Sequence, residues 1–341
     1  MVSIKTIAER AGVSTATVSR TFSQSNYVNK ETRERILKIA EELGFSPKAY
    51  KKHTANSTYR NTVGILLPAV NNQFYYEIIN GIEEVFDEYS IDILICYTSG
   101  NPQKEIMYLD LFHRIKPNGL IIVPTTEKSE ENRLYLRELA SKTNVVLLDR
   151  DLRGESIDGV FMNNFTSTYQ GTKLLIENGH REIAFLCGTM DSTSGVERLQ
   201  GYQAALEDSG IEYRRDFVLY GNFDSQTAYS QTIEFIKGKC PVTAFFSSSS
   251  AMAHGCMLAI AEKGLSIPDD VGFLSFGYSE WQNHKISCLR YPGREMGIEC
   301  AKVLIERMKA PARGKNVPRK RGIFEISMEL YGSEQFPKNH R

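Results

Sequence analysis

The sequence has no C-x-x-C pair. Its six cysteines (Cys96, Cys187, Cys240, Cys256, Cys288, Cys300) are scattered and stand beside no histidine at ligand spacing, which excludes a clustered zinc site and leaves reduced, buried thiols. No apolar run approaches the roughly 18 residues a membrane span needs, and Met1 to Lys5 has neither the basic start nor the apolar core of a secretory signal. A cytoplasmic protein without a membrane partner is expected. Also missing are G-x-x-x-x-G-K-[ST] and a G-x-G-x-x-G after a strand. Gly277-Tyr278-Ser279-Glu280-Trp281 begins like a nucleophile elbow but has Trp281 where the second glycine belongs. The histidines His53, His113, His180, His254, His284 and His340 are dispersed, so no catalytic residues, metal site or cofactor are expected, and His180, in a turn before a strand, reads as structural.

What the chain does have is length and an uneven charge distribution. Its 341 residues, 41% hydrophobic and 24% charged, suffice for more than one buried core. The formal net charge is zero, 41 basic against 41 acidic. Residues 1–60 nevertheless carry eleven Lys/Arg against five Asp/Glu, a net +6, which leaves −6 on the remainder. A small basic module on a larger acidic one suits a polyanion reader whose body does not itself cling to DNA.

In the basic module Ile4, Ile7, Ala8 and Ala11 fall at helical spacing and Gly12-Val13 breaks the run. Ser14 can cap a second helix that begins at once, and two short helices about a glycine turn describe a helix-turn-helix. A third helix is legible from an Asn29 cap through Ile36, Ile39, Ala40 and Leu43, with Gly44 and Pro47 as its stop. The second helix is the candidate reader: Thr15, Ala16 and Ser19 are small enough to sit deep in a major groove, where Arg20 can donate two hydrogen bonds to a guanine.

From Thr62 the period changes. Apolar runs at 63–67, 93–96, 120–123 and 145–148 alternate with helical stretches such as Phe74 to Tyr89, and the pattern restarts at 183–187, 243–246 and 272–276. Such alternation predicts parallel sheets covered by helices, here two of them. A last strand is expected from Ile323 to Met328, after a basic loop, residues 313–321, that reads as solvated.

The run from Thr6 to Arg20, with Val28-Asn29-Lys30-Glu31-Thr32-Arg33 and Gly44-Phe45-Ser46-Pro47, resembles the headpiece of the lac repressor family of bacterial transcription regulators. The resemblance implies base contacts from Thr15, Ala16 and Arg20 and phosphate contacts from Thr6, Ser14, Thr17 and Ser19, with Asn29 in the DNA-facing set. The linker departs from the family. Members usually place a leucine there that wedges into the minor groove, whereas this chain has Lys48, Lys51, Lys52 and Thr54. The lysines can track phosphates, but a threonine cannot be that wedge, so less kinking of the DNA is expected.

The resemblance continues to about residue 330, through Asn178-Gly179-His180-Arg181-Glu182-Ile183, Arg198-Leu199-Gln200-Gly201-Tyr202 and Ile267-Pro268-Asp269-Asp270-Val271. It implies an all-α helix-turn-helix headpiece (1–47) and a linker (48–61), then an α/β two-lobed periplasmic-binding-protein-like body with two parallel sheets. The first lobe would take 62–161 with 291–322, the second 162–290 with 323–331, and 332–341 would be a polar tail. The tail's lack of apolar heptads argues against a coiled-coil tetramer.

Such a body holds an effector between its lobes, and strand ends and matched motifs together nominate Asn71, Phe74, Tyr75, Asp149, Asn163, Arg198, Phe223, Ser249, Gly277 and Tyr278. Arg198, in the R-x-x-G-aromatic pattern, is the strongest of these, because its fork grips a carboxylate or phosphate. Where many members carry Asn-Asp this chain has Ser249-Ser250, and where sugar-binding members place an aspartate it has Gly277. Loss of that acceptor points to a sugar phosphate or sugar acid as effector.

The family further implies a homodimer on a near-palindromic double-stranded operator. A solute-binding sensor whose output is not DNA would share the body, but it would need an export signal and no helix-turn-helix. On the DNA side, Arg20→Ala is expected to weaken binding to the cognate operator by about 1–3 kcal/mol while leaving non-specific binding almost unchanged. Equal operator affinity of the two proteins in a mobility-shift titration at fixed salt would remove Arg20 from the reading helix.

Overall fold

The computed structural model describes residues 4–22, 28–43, 61–69, 73–237, 240–277, 279–282, 284–310 and 318–339, in two units, 1–60 and 61–341. The first unit holds α1 (Ile4–Ala11), α2 (Thr15–Phe22) and α3 (Lys30–Glu42). Ser14 Oγ accepts from the Thr17 amide at 3.1 Å and Asn29 Oδ1 from the Thr32 amide at 2.8 Å, so both expected caps satisfy amides that their helices leave open. The three helices close over Ile7, Ala8, Ala11, Val18, Phe22, Ile36 and Ala40. Gly12 turns the chain between α1 and α2 at φ +63°, a conformation that costs glycine little.

The second unit begins with β1 (Thr62–Leu67), α4 (Gln73–Glu88), β2 (Asp92–Tyr97), α5 (Pro102–Ile115), β3 (Gly119–Ile122), α6 (Glu130–Lys142), β4 (Asn144–Leu148) and β5 (Asp158–Met162). It continues with α7 (Asn164–Glu177), β6 (Ile183–Cys187), α8 (Thr193–Glu207), β7 (Val218–Tyr220), α9 (Ser225–Phe235), β8 (Ala244–Ser247), α10 (Ser250–Glu262) and β9 (Gly272–Phe276). A hairpin of β10 (Ser279–Trp281) and β11 (His284–Ile286), then β12 (Cys288–Arg290), α11 (Gly293–Lys309), β13 (Arg321–Phe324) and β14 (Ser327–Glu329), completes it.

Two six-stranded sheets result, ordered β13-β5-β4-β3-β1-β2 and β14-β12-β9-β8-β6-β7. The first is parallel throughout; the second is parallel except where β14 runs antiparallel to β12. Central strands are buried on both faces, and their side chains (Val63, Ile65, Ile121, Val146; Phe185, Phe246, Leu274) meet the covering helices in the cores of the two lobes.

Among the described residues the chain passes between the lobes three times, at 163, at 291–292 and at 325–326. The third passage corrects the expected strand from Ile323 to Met328. It is two strands, β13 at the edge of the first sheet and β14 at the edge of the second, so the first lobe reaches Phe324 rather than ending at 322. No glycine or proline marks the break, because the backbone stays extended as it crosses. Asn163 Nδ2 donates to Glu325 Oε1 at 3.0 Å, and the Asn163 amide to the Phe324 carbonyl at 3.0 Å, tying two of the passages together.

The stretch read as a polar tail is a structural edge of the second lobe. Ser333 and Glu334 are buried. The Ser333 carbonyl accepts from the Phe273 amide at 2.6 Å, and its hydroxyl accepts from the Ser287 amide while donating to the Phe273 carbonyl, both at 2.8 Å. Glu334 accepts from the Ser287 hydroxyl and the Gly332 amide. His180, fully buried, sits between Thr243 Oγ1 at 2.9 Å and the Glu334 carbonyl at 3.1 Å. Polar side chains here bind buried backbone, which composition alone does not reveal. Deleting residues 333–341 should therefore destabilise the body by about 2–5 kcal/mol through buried groups left without partners. An unchanged melting temperature for the truncated chain would refute it.

Candidate functional site

The carboxyl ends of both sheets face a cleft of about 620 Å³, within the range of small-molecule sites. Its walls follow the strand ends: Pro68 and Ala69 after β1, Ser99 after β2, Thr125 after β3, Asp149 and Arg150 after β4, Thr189 and Asp191 after β6, Asn222 and Phe223 after β7, Ser249 after β8. In a parallel sheet this is where loops of one polarity converge.

Arg198 comes from α8, whose first turn is fixed by Ser192 Oγ accepting from the Gly195 amide at 3.3 Å. The R-x-x-G-aromatic motif divides the labour. Gly201 lets α8 approach α7 so closely that a Cβ there would lie 2.4 Å from the Phe165 carbonyl oxygen. Tyr202 stacks on Phe185 at 4.8 Å and donates to the Ile183 carbonyl at 2.8 Å, which leaves Arg198 on the cleft side. There Nε donates to Asn164 Oδ1 at 2.9 Å, Nη1 to the Ser248 carbonyl at 2.6 Å, and the guanidinium lies 3.6 Å from the centroid of Phe276. Burial lowers its pKa, opposed chiefly by the Asp149 carboxylate, yet an arginine stays charged.

Arg150 reaches the cleft from the opposite lobe. Its Nη1 donates to the carbonyls of Pro124 and Thr125, both at 3.3 Å, while its buried Nε has no partner. Beside it Asp149 adopts φ +62°, accepts from the Tyr75 hydroxyl at 3.2 Å through Oδ2 and has no partner at Oδ1. Burial raises the Asp149 pKa, against the pull of Arg198 and Arg150. Burial also raises that of Tyr75, with the Asp149 charge adding to it. Ser248 Oγ is buried without a partner as well. Unpartnered buried donors and acceptors around one cavity are the mark of a polar ligand site.

Phe223 stands between the arginines, its centroid 5.5 Å from the Arg150 guanidinium and 5.9 Å from that of Arg198. Its backbone is left-handed at φ +61°, after Asn222 at +53°, a costly conformation for an aromatic residue and one that gathers at binding sites.

Of the expected effector residues, Phe74, Tyr75, Asp149, Arg198, Phe223 and Ser249 line this cleft, while Asn71 and Tyr278 lie outside the described residues. Two expectations need correcting. Asn163 is not part of the wall: it caps α7 by accepting from the Thr166 amide at 3.3 Å and holds Glu325. Gly277 is buried behind Tyr291 and does not reach the cavity surface. Sequence reasoning missed Arg150 and Tyr291. Each directly follows a residue at a strand end, and that position was the available signal.

In the first unit, Thr6 and Thr15 are exposed and Thr17 is half-buried. Ser14 and Asn29 spend a side-chain oxygen on their helix caps. Ala16, Ser19 and Arg20 lie on α2 with side chains outside the described residues, as do Lys48, Lys51 and Lys52 entirely. Among the described residues no cluster of three His, Cys, Asp or Glu side chains has metal-binding proximity, and no helix is long and apolar enough to cross a membrane.

Residues 3–48 match a family model described as bacterial regulatory proteins, lacI family, and residues 60–323 one described as periplasmic binding proteins and sugar binding domain of LacI family. The HTH-type transcriptional repressor PurR of Vibrio atlanticus (strain LGP32) is 30% identical over 97% of both chains, and that of Histophilus somni (strain 129Pt) 29% identical over 97% of both. Among solved structures, the transcriptional regulator CelR in complex with cellobiose superposes with a TM-score of 0.71 at 26% identity, over 98% of this chain and 100% of that one. The lac repressor dimer bound to operator and the anti-inducer ONPF shares the fold, with a TM-score of 0.72 at 20% identity over 98% and 99%.

The raised pKa of Asp149 has a thermodynamic consequence. A carboxyl group whose folded pKa lies above its unfolded value makes the folded state bind the extra proton, so stability is lost as pH rises from the unfolded pKa to the folded one and is level outside that window. In urea titrations across acid to neutral pH, wild type should lose stability relative to Asp149→Asn over that window and run parallel to it above. A constant difference between the two proteins would show that the arginines fully compensate the burial.

Proposed function

The chain belongs to the LacI family of bacterial regulatory proteins, a DNA-binding transcription repressor with an effector-binding body, and from that premise we propose that its effector is a small anionic sugar derivative. A sugar phosphate or sugar acid sits between the lobes, its anionic group on Arg198 and its ring against Phe74 and Phe223. The observation that carries this is the charge of the cleft floor: two buried guanidinium groups, Arg150 and Arg198, face a single buried carboxylate, Asp149. Charges so placed are poorly screened and favour an anion. The unpartnered Arg150 Nε and Asp149 Oδ1 further ask for a ligand carrying both an acceptor and a hydroxyl donor, as a sugar phosphate or sugar acid does.

Dimeric binding to a near-palindromic operator completes the reading. The headpieces take the two half-sites, and the effector shifts the population of lobe orientations that permit this.

The competing class is a neutral sugar, of the kind named for the CelR complex. Calorimetry on the full chain with glucose 6-phosphate, gluconate, glucose and cellobiose separates the two: the anionic ligands should bind, and tight binding of a neutral sugar with none of its phosphate or acid would sink the proposal. With the ligand that binds, Arg198→Ala should lose the effector response in a mobility-shift assay while keeping wild-type affinity for operator in its absence. Retention of wild-type effector affinity by that variant would remove Arg198 from the site.

A further inference from the structure

Position 277, directly after β9, is where the family resemblance leads one to expect a carboxylate. The space such a side chain would enter is already filled. A Cβ built on Gly277 lies 2.2 Å from the Tyr291 hydroxyl oxygen and 2.6 Å from its Cζ, and the Gly277 backbone is left-handed at φ +92°. The Tyr291 ring cannot move aside freely, because it packs 4.4 Å from the Phe74 centroid and 6.2 Å from that of Phe276 and is only 6% exposed. Tyr291 nonetheless forms part of the cleft wall, and it lies on the second passage between the lobes, joining the two aromatic walls there.

The chemistry of the exchange is specific. A carboxylate only accepts hydrogen bonds, whereas a phenol keeps one proton to donate. Ser250 hydrogen-bonds the Tyr291 hydroxyl, and burial pushes the phenol pKa up to about 12, so that proton stays in place at neutral pH. A carboxylate at this point would accept from ring hydroxyls and repel an anion; the neutral phenol removes the repulsion and has a proton to donate to an anionic oxygen.

We propose that Tyr291, seated in the space left by Gly277, is a specificity-determining residue of this cleft: its hydroxyl donates to an anionic oxygen of the effector and thereby selects sugar phosphates and sugar acids over neutral sugars. This rests on the anionic-effector reading. It adds a residue outside the family motifs and predicts that positions 277 and 291 can be exchanged only together.

The test uses the full chain, calorimetry with glucose, glucose 6-phosphate and gluconate, and thermal unfolding without ligand. Tyr291→Phe keeps the ring and removes only the hydroxyl. It should fold as wild type and weaken binding of the anionic ligand about tenfold, the effect of one lost hydrogen bond to a charged group. Wild-type affinity for glucose 6-phosphate and gluconate in that variant overturns the role of Tyr291 and leaves the anionic reading standing. Binding of glucose alone by wild type overturns both.

Unfolding gives a readout that needs no ligand. Gly277→Asp should lower the melting temperature of wild type strongly and that of Tyr291→Ala much less, because the second change empties the contested space. Equal effects in the two backgrounds overturn the proposal even if none of the three ligands binds. The double variant is also expected to shift preference toward glucose, and continued preference for the anions counts against the exchange.

Discussion

A buried guanidinium must find acceptors, and the cleft of this protein is arranged around that demand at Arg198. Its two donations fix Asn164 at the start of α7 and the carbonyl of Ser248 beyond β8, and its flat face lies on Phe276 at the end of β9. Three separate strand or helix ends of the second lobe are thus held to one side chain. Removing a group so placed leaves uncompensated polar atoms around it, which is why such an arginine shapes the wall as well as facing the ligand. Asp149 and Tyr75, from the first lobe, supply the opposing charge and its hydrogen bond. The electrostatic balance of the site therefore depends on both lobes being in register.

That dependence limits what can hold the lobes together. At the cleft mouth Lys128 pairs with Asp191 at 2.6 Å and Arg153 with Glu197 at 3.2 Å; three of the four side chains are more than half exposed to water and Glu197 is 32% exposed. Exposed pairs of this kind add little to stability and are screened by salt. Two backbone amides also bond across the mouth, Glu127 to the Asp191 carbonyl at 2.8 Å and Asp151 to Thr193 Oγ1 at 2.9 Å. These contacts register the lobes without locking them. A ligand shifts such an equilibrium only through a difference in its affinity for the two arrangements. Contacts to Arg150 on one lobe and Arg198 on the other are a means of creating that difference.

Much of the fold was legible because its rules are local. Ser14 and Asn29 announced helix starts by the chemistry of their side chains, and apolar runs such as Val63 to Leu67 were recognisable as strands buried on both faces. The boundary between β13 and β14 was not legible, since an extended chain leaving one sheet for another keeps the alternation of a single strand. The tail failed for a related reason. Ser333 and Glu334 look solvent-bound by composition, and only the tertiary structure brings the Phe273 and Ser287 backbones to them.

The site divides along the same line. Arg198 was readable because the glycine and aromatic residue that orient it are near neighbours in sequence, and Phe74, Tyr75 and Asp149 because they stand at strand ends or helix mouths. Arg150 and Tyr291 also lie just past strand ends, but no motif around them singles them out. What assigns them is a distant partner: the carbonyls of Pro124 and Thr125 for one, the missing side chain of Gly277 for the other. Read alone, Gly277 is an absence, the loss of an acidic acceptor. Beside Tyr291 it is the condition that lets a bulky neutral donor stand there instead. A residue's contribution to specificity thus includes the space it leaves, which no scan for chemically active side chains along the chain can register.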